Sequence, residues 1–185
     1  MLTVVVNGSV DRERVSHYNL LLTIADHGNP SRWTNISLSI VIIDENDHCP
    51  ELHIESSFIM INRDRTPTHF QLHLIASDKD FEQNGRITFE LSPSTSPPFV
   101  RLYANGTLFV QTNSNLIIDG SLTLLHVQIR DHGQPTPCLI VETLRLFIGS
   151  NRTDWATVVK NNNHDQVSAV SSNLLFILKF SVEKL

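Results

Sequence analysis

Residues 36 to 50 read ISLSIVIIDENDHCP. Ile36, Leu38, Ile40 and Ile42 recur on a two-residue period, the spacing that puts one row of side chains on one face of a β-strand. The run then ends in Asp44, Glu45, Asn46 and Asp47, three carboxylates and an amide in four consecutive positions. Carboxylates crowded in this way repel one another unless a cation meets them. The stretch therefore predicts both a strand and an acidic knot at its end.

The same period recurs along the chain. Tyr18, Leu20, Leu22 and Ile24 share a face, as do Phe70, Leu72, Leu74 and Ala76, then Ile87, Phe89 and Leu91, then Leu125, Val127 and Ile129, then Leu144, Leu146 and Ile148. Each set reads as a half-buried strand, and no window carries sustained helical spacing with caps. The expected fold is all-β, an antiparallel sandwich of short strands joined by polar turns. IADHGNP around Asp26 returns as IRDHGQP around Asp131, 105 residues later, with alternating strands on both sides of each copy. That offset is the length of a sandwich domain and too long for the common solenoid repeats. Far fewer residues precede Asp26 than a whole domain needs, so the first copy is expected to be partial. The predicted division is residues 1–47, the end of one domain with an acidic linker; 48–150, a complete domain; and 151–185, a loosely structured tail rich in Asn and Ser.

The net charge of −5 and the lack of a clustered basic patch argue against a nucleic-acid partner. Two cysteines, Cys49 and Cys138, cannot build a zinc cluster or a dense disulfide framework. Residues 1–14 do not have the layout of a secretory leader, and LLFILKF at 174–180 is too short for a membrane helix. Four N-glycosylation sequons start at Asn7, Asn35, Asn105 and Asn151, some of them expected by chance in so Asn-, Ser- and Thr-rich a chain. Asp26-His27 and Asp131-His132 are sequence neighbours rather than the separated relay of a triad, and neither a GxSxG elbow nor a phosphate-binding glycine loop occurs. No enzymatic activity is expected.

Seven of the nineteen acids, Asp11, Glu13, Asp44, Asp47, Asp78, Asp80 and Asp131, sit in motifs at strand ends. Such oxygen-rich sets suit calcium, which takes six to eight oxygens from carboxylates, amides and carbonyls. Magnesium keeps more water, and zinc would want the scattered histidines. DKDFEQNG at 78–85 superficially matches the start of an EF-hand loop, but Gln83 stands where that loop needs Gly and Phe89 where it needs Glu.

VDRE, ADHGNP, DENDHCP, ASDKDFEQNGRITFEL and RDHGQP, in that order from about residue 3 to 148, together resemble cadherin repeats of the protocadherin or Fat-like kind. The resemblance implies Greek-key β-sandwich repeats, one partial and one complete, with three calcium ions where they meet. Asp11, Glu13 and Asp47 would hold the outermost ion, and Glu13, Asp44, the Glu45 carbonyl, Asp47 and Asp80 the second. The third would take Asn46, the His48 carbonyl, Asp78, Asp80, the Asn84 carbonyl and Asp131. It also implies calcium-dependent cell adhesion or cell–cell recognition on the extracellular side of the plasma membrane. The partners would be other cadherin ectodomains, homophilic or heterophilic, and the glycoprotein parent would be single-pass although this chain contains no membrane helix. The alternative is a truncated gene product or splice fragment without adhesive function of its own.

The sequence departs from the family pattern in three places. His48 replaces an Asn whose carbonyl is the ligand, which should be tolerated; Glu82 stands where a Gly is common; and no acids stand at the positions that would form another junction after residue 148. Cys49 opens the first strand of the second repeat and Cys138 its last, so either a disulfide or two free thiols would fit.

Overall fold

A computed structural model describes residues 4–66, 68–150 and 153, together with the backbone of 176–177. Strand β1 (His17–Ala25) pairs antiparallel with β2 (Trp33–Val41) in a separate hairpin. The remaining strands are β3 (Glu51–His53), β4 (Phe58–Asn62), β5 (Phe70–His73), β6 (Ile75–Ser77), β7 (Thr88–Leu91), β8 (Val100–Leu102), β9 (Thr107–Val110), β10 (Ser121–Arg130), β11 (Leu139–Gly149) and β12 (Phe176–Ile177). They form a five-stranded sheet in the order β12-β4-β11-β10-β7, a three-stranded sheet β5-β9-β8 and a short ladder β3-β6. The chain from Glu51 to Asn62 pairs first with β6 and then, parallel, with β11, so one stretch of backbone joins the short ladder to the five-stranded sheet.

The period-two pattern explains the core. Leu125, Val127 and Ile129 from β10 and Leu144, Leu146 and Ile148 from β11 are all at most 2 % exposed. They pack in one cluster with Ile59, Ile61, Phe70, Leu74, Phe89, Leu91, Val100, Leu108 and Val110 from both layers. Burying each large aliphatic side chain contributes about 1.5–3 kcal/mol, so this cluster dominates the favourable side of folding. Gly106, at φ +87° in the turn between β8 and β9, approaches the Leu74 carbonyl so closely that any Cβ would collide with it. Two residues of the sequence-predicted tail, Phe176 and Ile177, add a short edge strand beside β4; the remainder of 151–185, apart from Thr153, lies outside the described residues.

The two hairpins share a register. Leu20 faces Leu38 across β1 and β2, and Leu125 faces Leu144 across β10 and β11. In each hairpin the turn aspartate organises the connection in the same way. Asp26 Oδ1 accepts the N–H groups of Gly28 and Arg32 at 3.0 and 2.8 Å, while Asp131 Oδ1 accepts those of Gly133 and Cys138, both at 2.9 Å. Burial differs sharply: Leu125 is 0 % exposed, whereas its counterpart Leu20 is 37 % exposed, with Ile24 at 50 % and Ile36 at 49 %. The alternation in β1 and β2 predicts half-buried strands, yet among the described residues no second layer covers their apolar face. Periodicity reports which face is apolar and carries no information on whether a partner sheet is present.

Candidate metal centre at the junction

Three separate pieces of backbone deliver the acidic residues. The VDRER segment turns tightly, Val15 N–H donating to the Asp11 carbonyl at 2.9 Å and Arg14 N–H to Asp11 Oδ1 at 2.9 Å. The linker leaves β2 at Ile42 and runs without regular secondary structure through Asp44 to His48. The DKDFEQNG loop follows β6, its bend held by the Asp80 N–H donating to Asp78 Oδ1 at 3.0 Å. Glu82 occupies this loop at φ +51°, the left-handed region where its Cβ is strained, at the place where the family pattern carries glycine.

Side-chain oxygens of Glu13, Asp44 and Asp80, one from each piece, lie within 4.8 Å of one another. A second group on the same scale joins Glu13, Asp47 and the imidazole of His48. Asp11, Asp78 and Asp131 fall in neither group. Asp131 is instead fully buried, its Oδ1 and Oδ2 both accepting the Cys138 N–H at 2.9 and 3.0 Å. Glu45 is exposed on the linker, and the Asn84 side chain bridges the site, its Nδ2 donating to Asp44 Oδ2 at 2.8 Å and its Oδ1 accepting from Gln134 N–H at 3.1 Å. Asn46 turns toward the DHGQP loop, where its Nδ2 donates to the Thr136 carbonyl at 2.9 Å, and Gly133 packs so tightly there that a Cβ would overlap the Asn46 amide.

Carboxylates about 4 Å apart repel by roughly 1 to 4 kcal/mol at the dielectrics of water and protein surface. The Arg12 guanidinium and the His48 imidazole when protonated, two side chains to which the sequence motifs give no role, offset part of this. Arg12, set between the two acids of the VDRE motif, holds Asp44 Oδ1 through Nε at 3.1 Å and Glu13 Oε1 through Nη1 at 3.2 Å, and its guanidinium lies 4.4 Å from the Phe81 ring centre. His48 places Nδ1 at 2.9 Å from both Asp47 Oδ1 and Asp80 Oδ1, while its N–H donates to Asp80 Oδ2 at 3.1 Å. Sequence reasoning assigned His48 a backbone role alone; the side-chain role needs Asp80 brought next to it from 32 residues away.

The ionisation of these groups follows from their surroundings. Burial pushes the Asp80 carboxyl above its ordinary value, with neighbouring Asp78 adding to the rise and the His48 hydrogen bonds opposing it. Hydrogen bonding to Asp80 raises the His48 imidazole, aided by Asp47 and opposed by burial. Far from the junction, Asp26 is held below the ordinary carboxylate value by the backbone N–H of Arg32 and then of Gly28.

The donor set fits a hard cation. Glu13, Asp44, Asp47 and Asp80 offer carboxylate oxygens, and buried Asn46 Oδ1 and Asp78 Oδ2 have no hydrogen-bond partner, which leaves oxygen acceptors with a desolvation cost still to be met. Zinc would need nitrogen or sulfur ligands, and His48 is the one histidine in either group.

No protein-family model matches the chain. Among curated proteins it is 31 % identical over 163 residues to human protocadherin gamma-B3, an alignment spanning 84 % of this chain and 17 % of that protein. It is 35 % identical over 88 residues to human protocadherin-16, spanning 48 % of this chain and 3 % of that protein. The chain thus spans about a sixth of the length of the gamma-B relatives it matches. Among solved structures, the protocadherin GammaB4 extracellular domain superposes with a TM-score of 0.65 at 28 % identity, over 77 % of this chain and 23 % of that one. Extracellular cadherin domains 3-6 of protocadherin Gamma B2 superpose with a TM-score of 0.64 at 27 % identity, over 77 % and 35 %.

Proposed function

The chain belongs to the cadherin superfamily, and from that premise we propose that its acidic knot is a calcium-binding joint between two successive sandwich repeats. The convergence of Glu13, Asp44 and Asp80 carries the reading: three carboxylates from three distant segments meet within 4.8 Å, and one of them is buried. The proposed ligands are the side chains of Asp11, Glu13, Asp44, Asn46, Asp47, Asp78, Asp80 and Asp131 with the carbonyls of Glu45, His48 and Asn84. Bound calcium would supply positive charge and oxygen coordination that turn mutual repulsion into attraction.

The residues of the chain prepare the joint. Asp44 anchors the linker to the DKD loop through the Phe81 N–H at 3.1 Å and the Asn84 amide. Arg12 keeps Glu13 beside Asp44, and His48 keeps the linker against Asp80. Because Glu13 lies ahead of the first hairpin and Asp80 belongs to the second repeat, an ion held by both would couple the two repeats and stiffen the hinge between them. Extracellular calcium modules commonly have dissociation constants of about 10⁻⁴ to 10⁻³ M, suited to the calcium outside cells.

On this reading the module serves calcium-dependent adhesion or cell–cell recognition within a longer, membrane-anchored parent. It would stand on the extracellular face of the plasma membrane with other cadherin ectodomains as homophilic or heterophilic partners. The relationship to protocadherins supports this assignment. The sequon asparagines Asn7, Asn35 and Asn105 are exposed, which suits a glycoprotein; Asn151 lies outside the described residues. The apolar face of β1 and β2, uncovered among the described residues, favours a second reading, a truncated gene product or splice fragment without adhesive function of its own. Isothermal titration calorimetry with calcium tests the first: binding in the micromolar to millimolar range supports it, and the absence of heat up to several millimolar removes it.

A further inference from the structure

Cys49 and Cys138 form a disulfide, with Cα atoms 5.5 Å apart across 89 residues of sequence. The cross-link joins two segments that matter to the junction. Cys49 directly follows the DENDH linker, and Cys138 closes the DHGQPTPC loop. Cys138 clasps Asp131 from both sides: its N–H donates to both Asp131 carboxylate oxygens, and its carbonyl accepts the Asp131 N–H at 3.2 Å. Beside it, Asn46 hangs from the Thr136 carbonyl with its own Oδ1 buried and unpartnered.

The first hairpin supplies an internal control. Asp26 builds the same turn, accepting the N–H groups of Gly28 and Arg32, and Arg32 stands where the second hairpin has Cys138. The turn therefore forms without a cross-link. What the disulfide adds is a covalent attachment of that turn to the linker, beside the contacts Asn46 already makes with the Thr136 carbonyl and Gly133.

Resting on the calcium reading above, we propose that the Cys49–Cys138 disulfide is a positioning element for the downstream calcium site. It sets the linker oxygens against those of the DHGQP loop before any ion arrives. Removing it frees the two halves to separate and weakens calcium binding there, while the sandwich core, built from β4 to β11, stays folded. Loss of an outer partner that orients metal ligands typically costs 10- to 100-fold in affinity.

The test compares calcium titrations of the oxidised chain and the Cys49→Ser/Cys138→Ser variant by calorimetry, with circular dichroism and melting in EDTA recorded for both. The expected result is an affinity lower by about tenfold or more at one site, with native β-sheet signal and a cooperative melt retained. Equal affinities in the two forms overturn the proposal and leave the bridge a plain staple. Absence of binding in both forms removes the calcium reading itself, a different failure. Should the double variant not fold, the native chain reduced by a phosphine under non-denaturing conditions takes its place; unfolding there as well overturns the claim that the bridge serves the site rather than the core.

Discussion

Replacing Asp80 by Asn separates the calcium account from a purely structural one, because the two forms of the protein should respond with opposite sign. The Asp80 side chain is 0 % exposed, and it lies within 4.8 Å of carboxylate oxygens of both Glu13 and Asp44. At that spacing each pair repels by about 1 to 3 kcal/mol, depending on how well water screens it. Burial adds a further cost to the charged form. Asn keeps the shape and can still accept the His48 N–H, so in EDTA at a pH high enough to leave His48 neutral, Asp80→Asn should leave stability unchanged or raise it by about 1 kcal/mol. A gain of that size moves the melting temperature by about 4–8 °C in a domain of this size. In millimolar calcium the same change removes a shared ligand, and the calcium-induced rise in melting temperature should largely vanish. The assay is thermal unfolding with and without calcium on both chains. A loss of stability that is equally large in EDTA and in calcium would refute the reasoning, since it would make Asp80 a structural hydrogen-bond acceptor and nothing more.

Three further outcomes are expected. With its folded pKa raised above 6.5, His48 contributes stability that is complete below that value and is lost as pH rises through the folded one; Asp80, also raised, acts in the same direction from lower pH. Melting temperature in EDTA should therefore fall as pH rises above about 6.5, and His48→Asn should flatten that slope. Leu125→Ala should cost about 2–5 kcal/mol by chemical denaturation and Leu20→Ala well under half as much, because only the first leaves a cavity in a closed core. Glu82→Val, forcing a β-branched residue into the left-handed region, should destabilise by about 1–2 kcal/mol, whereas Glu82→Gly should be neutral or mildly stabilising in the same measurement.

Alternation made β10 and β11 legible because their inward rows, Leu125 to Ile129 and Leu144 to Ile148, do meet an opposing sheet. The identical pattern in β1 and β2 predicted the strands and the apolar face correctly but not the exposure, which depends on what lies opposite. The acidic residues were legible as motifs since carboxylates cluster in sequence at 44–47 and 78–80. Their neutralisation was not: Arg12 and His48 act through contacts with Asp44 and Asp80, made only once the linker and the DKD loop come together. The disulfide was one of two open alternatives, because pairing rests on Cα proximity that spacing alone does not give. Glu82 could be recognised as a departure from a glycine pattern, and its positive φ shows what glycine would have relieved.

The central claim, that calcium stiffens the joint, is tested most directly by pulsed electron spin resonance between labels on exposed Ser39 of β2 and Gln71 of β5. The account predicts a broad distance distribution in EDTA that narrows sharply as calcium reaches the millimolar range and broadens again in Asp80→Asn. An unchanged distribution from EDTA to several millimolar calcium would contradict it.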